Sequence, residues 1–427
     1  MYTSRPVALA AFLLAAAAPG PASAAGFALF EQGARGMGFA GAFTAQANDP
    51  SAIFHNVGGV AFLKGTQVYV GDTRVAPHFD FDGAAPFPGP VTEESDIAAQ
   101  FPPSAYVTHS FSERFAAGLG FNVPFGLEST WSNPDQFSGR YISTKAQLHG
   151  FSINPVLSYK VSPRVAIGAG LDYRLASVTL ERRVPVINPF TQSVVDAAAV
   201  TLESETNSGV GFNVGLLAKL GDTVSVGASY RSKVGIDFEG TSSFVQIPTG
   251  NAQLDAILRT RVPQGSLGTT THIDFPAIAS VGIAKVWNKW TVEGDVNWYG
   301  WSSFGQLPIT LEGRPDLSEV VEENYDDAFQ FRVGLERALN EAWSVRGGYF
   351  FDQSPAPAES VSPLLPDADR NGFALGLGWK GARWRADAAS WLVLSPDRST
   401  EGVNSDDYNG TYKGSAFTFG LSVGYTF

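Results

Sequence analysis

The sequence predicts an all-β protein: a transmembrane antiparallel β-barrel of about fourteen strands with an amino-terminal plug, or hatch, in its lumen. Three observations point there. Aromatic residues make up 12 % of the 427 and charged residues only 16 %, against the usual quarter in globular chains. No apolar run approaches the ~20 residues of a spanning helix. From Thr66 to the carboxy terminus the chain alternates apolar and polar residues, and its short and long connections alternate too.

The first element is an export signal. Arg5 supplies positive charge, Val7 to Ala18 form the apolar core, Pro19-Gly20-Pro21 breaks any helix, and Ala22-Ser23-Ala24 is an A-x-A cleavage site. The competing reading, an anchor helix, fails because the run is too short and breaks too early. Cleavage after Ala24 divides the chain into signal 1–24, hatch 25–64 and barrel 65–427. The mature chain then has 28 basic against 41 acidic residues, a net charge of −13. That balance argues against a nucleic-acid partner, which wants a basic face. With no cysteine, disulfides and thiolate metal sites are excluded.

Residues 25–64 come next. They are rich in glycine and alanine, almost uncharged, and lack a clean helical or strand period. An irregular segment cannot face lipid, because its backbone groups would stay unsatisfied. An even-stranded barrel keeps both termini on the periplasmic side. A barrel this wide has lumen to spare, since about eight strands already enclose a side-chain-filled interior. A plug is the natural place for the segment, and a greasy plug implies a partly apolar lumen.

The strands follow. Phe417, Phe419, Leu421, Val423, Tyr425 and Phe427 alternate with Thr418, Gly420, Ser422, Gly424 and Thr426. Successive strand side chains face opposite ways. Leu171 and Tyr173 oppose Asp172 and Arg174; Trp298 opposes Asn297; Phe331 opposes Arg332; Val345 opposes Arg346. One strand alone would equally suit a soluble sandwich. The aromatic ends of the apolar faces suit interfacial girdles, and the mixed charges opposite suit a lumen. Short links at Phe111–Arg114, Lys160–Arg164, Lys219–Thr223, Val286–Trp290, Ala338–Ala342 and Trp379–Arg383 alternate strictly with long ones. Tight periplasmic turns and long external loops do this.

Several stretches together resemble the FadL-type outer-membrane transporters of long-chain fatty acids and other hydrophobic molecules. They are Ala25-Gly26-Phe27, Gly33 to Gly38, "NDPSAIFHN", "YRSKVGIDFEG", "FDQSPAPAE" and "LPDADRNGF". They occur in order across the mature chain. One departure is the hatch turn, where the family usually has Asn-Pro-Ala and this chain has Asn56-Val57-Gly58. Glycine does not fix φ as proline does, so a less constrained turn is expected. The resemblance implies residence in the outer membrane of a Gram-negative bacterium and passive uptake of a hydrophobic molecule. External loops capture it, an apolar lumen pocket binds it, the hatch shifts, and a kinked third strand releases it sideways into the bilayer. Long-chain fatty acid is the first ligand expected, an aromatic hydrocarbon or other apolar molecule the second. A hydrophilic porin or an outer-membrane lipid hydrolase are alternatives of another class.

Candidate site residues follow from these readings. Phe27, Leu29 and Phe30 would line the pocket from the hatch, or merely pack it against the wall. Arg174 and Arg346, inward by alternation, and Arg182 near a strand end could meet a carboxylate head; alternatively, lumen charges pair with each other. Pro124, Phe125 and Gly126 mark the gate kink, since proline cannot donate to the ladder; a plain strand end is the competing reading. "FSGRY" (Phe137 to Tyr141) is a capture-loop candidate. His149, Ser152 and Asn154 offer hydrolase ingredients. The odd spacing of His149 and Ser152 puts them on opposite faces, so no catalysis is expected. The five scattered histidines and the acidic "DLSEVVEENYDD" run motivate no metal site, and no cofactor is expected. Expected partners are the ligand, membrane lipid and, through the terminal strand ending at Phe427, the barrel-assembly machinery. A monomer is expected.

Overall fold

The computed structural model describes residues 26–427. The export signal and Ala25 lie outside the described residues. Fourteen antiparallel strands close into a barrel. In chain order they are β1 Thr66–Gly83, β2 Pro103–Ser110, β3 Phe115–Asn122, β4 Lys145–Ser162, β5 Val165–Ile187, β6 Asn207–Leu220 and β7 Val224–Arg231. The remaining seven are β8 Ile278–Trp287, β9 Trp290–Tyr299, β10 Ala328–Ala338, β11 Trp343–Asp352, β12 Arg370–Lys380, β13 Trp384–Leu394 and β14 Gly410–Thr426. Each pairs with the next, and β14 returns to β1 from Gln67↔Thr426 to Gly83↔Gly410. Closure leaves no strand edge to go unsatisfied in lipid.

The facing predicted by alternation holds. On β5, Leu171 is 58 % exposed while its neighbours Asp172 and Arg174 are fully buried. Phe417, Phe419 and Leu421 face out between the buried Thr418 and Ser422. On β10, Phe329, Phe331 and Val333 face out and Arg332 faces in.

The long connections hold more structure than the sequence pattern predicts. Val194–Ser204, Val234–Gln246 and Ser266–Phe275 are strands, as are Gln306–Leu311 and Glu319–Glu322. They pair in succession, prolonging the wall into a crest at the loop end. A ten-residue helix (Ala252–Arg261) sits in that crest, with the Asn251 side chain accepting N–H bonds from Gln253 and Leu254. Outside lipid neither face need be uniformly apolar, so the period-two signal fades there.

Residues 26–64 fill the lumen. Only short helical turns form: Ala34–Gly38, Ala52–His55 and a 3₁₀ turn at Val57–Phe62. The wall meets them with glycine. A Cβ on Gly334 of β10 would lie 2.5 Å from the Phe39 carbonyl oxygen, and one on Gly376 of β12 would lie 2.9 Å from Gly38 Cα. Gly118, Gly215, Gly227 and Gly420 are approached in the same way by Ile53, Asn56, Thr44 and Met37. The small residues of the inward faces are thus the surface on which this segment rests.

Polar ties complete the grip. Asp295 accepts the Phe43 and Thr44 N–H groups, each at 2.9 Å, and Glu293 accepts those of Ala45 and Gln46. Asp49 lies 3.7 Å from both Arg35 and Arg385. Burial pushes the Asp49 carboxyl up, but the two guanidiniums outweigh it and hold it below its usual range. The turn at Asn56-Val57-Gly58, expected to be loose, is pinned. The Asn56 amide donates to the carbonyls of Thr44 at 2.8 Å and Leu216 at 2.9 Å, and its oxygen accepts from Gly58 at 3.1 Å. Side-chain bonding to the wall supplies the constraint that proline would have supplied through φ.

Candidate functional site

The wall is interrupted beside β1. This strand pairs with β2 from Thr66 to Asp72 and with Thr92–Glu94 from Asp80 onward. Between those stretches the pairing thins to the isolated bridge Val75↔Gln100, with single bonds from Thr73 N–H to the Pro102 carbonyl and from Ser95 N–H to the Phe79 carbonyl on either side. On the far side of the gap β3 stops at Asn122, and the chain resumes against β4 at Gly126–Thr130. Pro124 therefore lies in the interval between two stretches that both pair with β4. Val123 and Phe125 are buried and turn inward between two paired stretches.

The hatch satisfies what this break leaves open. Leu29 N–H donates to the Pro124 carbonyl at 2.9 Å, and Gly126 N–H donates to the Phe27 carbonyl at 3.0 Å. Ala28 and Phe125 form the isolated bridge between these bonds. The Gln32 amide closes the set, donating to the Val123 carbonyl at 2.6 Å and accepting its N–H at 3.3 Å. Buried backbone groups require such partners. The leading hatch residues are in effect a short strand laid across the kink. Phe27 fixes them sideways, with its ring edge-on to Trp301 at 4.6 Å, Phe304 at 5.5 Å and Phe125 at 6.1 Å.

A cavity of about 300 Å³ opens beside this strand. At its lumen end stand Glu31, Gln330, Arg332, Asp352, Asp367 and Arg370. Leu29, Phe30, Val123, Phe350, Leu365 and Trp391 are among its apolar lining. At the wall it reaches Gln100 to Pro103 and Leu148 to Phe151. Phe101 and Phe151 are also 59 % and 37 % exposed on the outer surface, so the cavity spans the gap. Burial raises the carboxyls of Glu31 and Asp367, and pushes Asp369 in the neighbouring loop up to about 7.

Phe27, Leu29 and Phe30 all line this cavity; Arg174, Arg182 and Arg346 do not. Arg174 is buried against the rings of Phe125 and Phe275 and pairs at 2.8 Å with Asp172, which also takes Arg231. Arg346 pairs with Glu336 at 2.6 Å and Asp387 at 2.7 Å, not with Asp352 farther along its strand. Arg182 lies in the crest, 2.8 Å from Glu319. The cavity's arginines are Arg332 and Arg370. Alternation places Arg332 inward, but the residues that gather around it come from distant strands and leave no local signal.

Other candidates fall into structural places. Phe137 stacks on Trp131 at 4.7 Å and Arg140 holds Asp196 at 3.1 Å, so "FSGRY" is packed into the mouth. His149 is exposed, whereas Ser152 is buried and bonds Asp172. Among the described residues, His78, Asp80 and Glu94 bring ligand-type atoms within 4.8 Å of one another, in an open setting at the loop end.

Barrel, plug, wall gap and greasy cavity together define an outer-membrane channel for apolar molecules. The chain belongs to the family of outer membrane protein transport proteins (OMPP1/FadL/TodX), whose model matches residues 15–427. It is 23 % identical to the long-chain fatty acid transport protein of Escherichia coli strain K12, over 100 % of this chain and 99 % of that protein. It is 28 % identical to a 47 kDa outer membrane protein of Pasteurella multocida, over 96 % and 95 % of the two chains. Among solved structures, a FadL homologue of Pseudomonas aeruginosa superposes with a TM-score of 0.83 at 21 % identity, covering 94 % of this chain and all of that one. The toluene transporter TodX of P. putida gives 0.72 at 17 % identity, covering 92 % and 98 %. The protein is a FadL/TodX-type transporter of hydrophobic compounds in the outer membrane of a Gram-negative bacterium.

Proposed function

We propose that the protein takes up amphipathic hydrophobic molecules of the long-chain fatty acid kind, passively, and releases them sideways into the membrane. One observation carries the reading: the cavity joins buried charged groups in the lumen to the exposed Phe101 and Phe151 of the wall past a mainly apolar lining, with Glu128 and His149 among its polar members. A ligand with a polar head and an alkyl tail suits that polarity. The external loops capture it, residues 26–32 shift from the kink, and the tail slides through the gap. Moving a methylene from cavity to bilayer costs little, because both exclude water; moving it into the periplasm costs about 0.8 kcal/mol. Lateral exit is the downhill route. The terminal strand ending at the exposed Phe427 is the segment we expect the barrel-assembly machinery to engage, and a monomer suffices for the route. As a second reading, the aromatic lining of Phe27, Phe30, Phe350 and Trp391 favours toluene-like molecules. Binding of laurate and of toluene to the purified protein separates the two. Tighter laurate binding supports the first reading; toluene binding without laurate binding overturns it.

A further inference from the structure

The charged end of the cavity is more acidic than a fatty-acid anion would want. Arg332 is committed through both terminal nitrogens, with only its buried Nε left without a hydrogen-bond partner: Nη2 donates to Asp352 at 3.1 Å and to Gln330 at 2.8 Å, and Nη1 donates to the Ala40 carbonyl at 2.8 Å. Its guanidinium is covered by the rings of Phe30 at 4.3 Å and Phe350 at 4.8 Å. Arg370 donates to the Gly26 carbonyl at 2.8 Å and lies 3.5 Å from Asp367. Each arginine thus already faces a carboxylate.

Apart from Glu128, whose oxygens accept from the Gln147 amide and the Thr130 hydroxyl, Glu31 is the remaining acid. It lines the cavity, and among the described residues it has no cation within ion-pair distance. Its carboxylate accepts the Phe30 N–H at 2.7 Å. The charged and titratable groups around it are Arg332 of β10, Arg370 of β12, Asp352 of β11, Tyr299 of β9 and Asp367 of the loop before β12. Burial raises its carboxyl, consistent with a group that holds a proton readily.

Resting on the fatty-acid reading above, we infer that a carboxylic ligand binds together with one proton, shared between its head and the Glu31 carboxyl. Glu31 is then a specificity-determining residue that admits uncharged heads freely and a carboxylate only when a proton accompanies it. The proton comes from solvent and returns when the ligand leaves. Without it, two carboxylates would meet in a space whose arginines are already balanced. Heads that cannot ionise, such as alcohols and esters, bind with no proton.

Calorimetry of the purified mature protein with laurate and with dodecanol, at pH 7 to 8 in buffers of differing ionisation enthalpy, tests this. Wild type is expected to take up about one proton per laurate, its affinity falling roughly tenfold per pH unit, and none per dodecanol. Glu31→Gln should bind laurate with no proton uptake and a flat pH profile, and its dodecanol binding should likewise involve no proton. Laurate binding to wild type without proton uptake overturns the inference, whatever the variant does. Failure of both ligands to bind overturns the uptake reading instead.

Discussion

Residues 26–32 and residues 34–62 form one continuous plug, yet the barrel holds them by different means. The later stretch is tied to strands on all sides. Glycines receive its backbone, Glu293 and Asp295 hold the loop at 43–46, and Asn56 reaches the Leu216 carbonyl. The leading stretch is bonded mainly to the kink and to Arg370. A handful of bonds at about 1 kcal/mol each is within reach of a long alkyl chain that gains about 0.8 kcal/mol per buried methylene. The many ties of the later stretch are not. The contrast fits the proposed route, in which residues 26–32 move and residues 34–62 block the lumen.

Removing both stretches is the harshest way to break that contrast. Deleting residues 26–63 should leave an ion-conducting lumen in planar bilayers, where the intact protein conducts little. A closed deletion variant would mean that the external loops do the sealing. Locking only the leading stretch sharpens the comparison. Ala28 and Phe125 form a bridge whose flanking bonds make it a narrow, non-hydrogen-bonded pair, with Cα atoms about 4.5 Å apart, within disulfide range. The chain has no other cysteine. In Ala28→Cys/Phe125→Cys, oxidation should slow laurate uptake about tenfold or more, with conductance unchanged and reductant restoring uptake. Equal uptake in both redox states would remove this stretch from the route.

Acid should loosen the later stretch. His55 sits among Phe30, Phe43 and Phe54, faced by Asp49, Arg231 and Arg332, and burial lowers its pKa from 6.5 to about 4. Between those values the unfolded chain holds a proton that the folded chain refuses. Stability therefore falls as pH drops from about 6.5 to 4, by at most on the order of 3 kcal/mol, and is untouched above pH 7. His55→Leu should flatten that part of a pH-dependent melting curve, and an unchanged slope would place the proton elsewhere. Least of all should happen at the exposed Lys413–Asp82 pair, 2.7 Å apart, because such pairs contribute little. Asp82→Asn should leave both melting and uptake unresolved from wild type.

The barrel was legible because lipid imposes one rule on every strand, so Leu171 and Arg174 or Phe331 and Arg332 declare their faces in the sequence. Pro124 marked the place of the kink, but that its backbone would be met by Leu29 and Phe27 is a long-range fact with no local trace. The cavity's charges were harder still. Arg174, Arg332 and Arg346 read alike as inward arginines. Only the fold shows that the first and last are enclosed by Asp172, Glu336 and Asp387, while Arg332 borders open space. The crest was missed because, away from lipid, nothing forces its residues to alternate.

The seam between β1 and β14 has a consequence for assembly. The two partners of that seam stand at opposite ends of the barrel sequence, so the ring is completed only after every other strand exists. The segment that ends up inside is made first and must wait, unburied, for walls to rise around it. It has only short helical turns of its own, so its form depends on the walls it will rest against. Sealing the ring and stoppering it thus become a single late event.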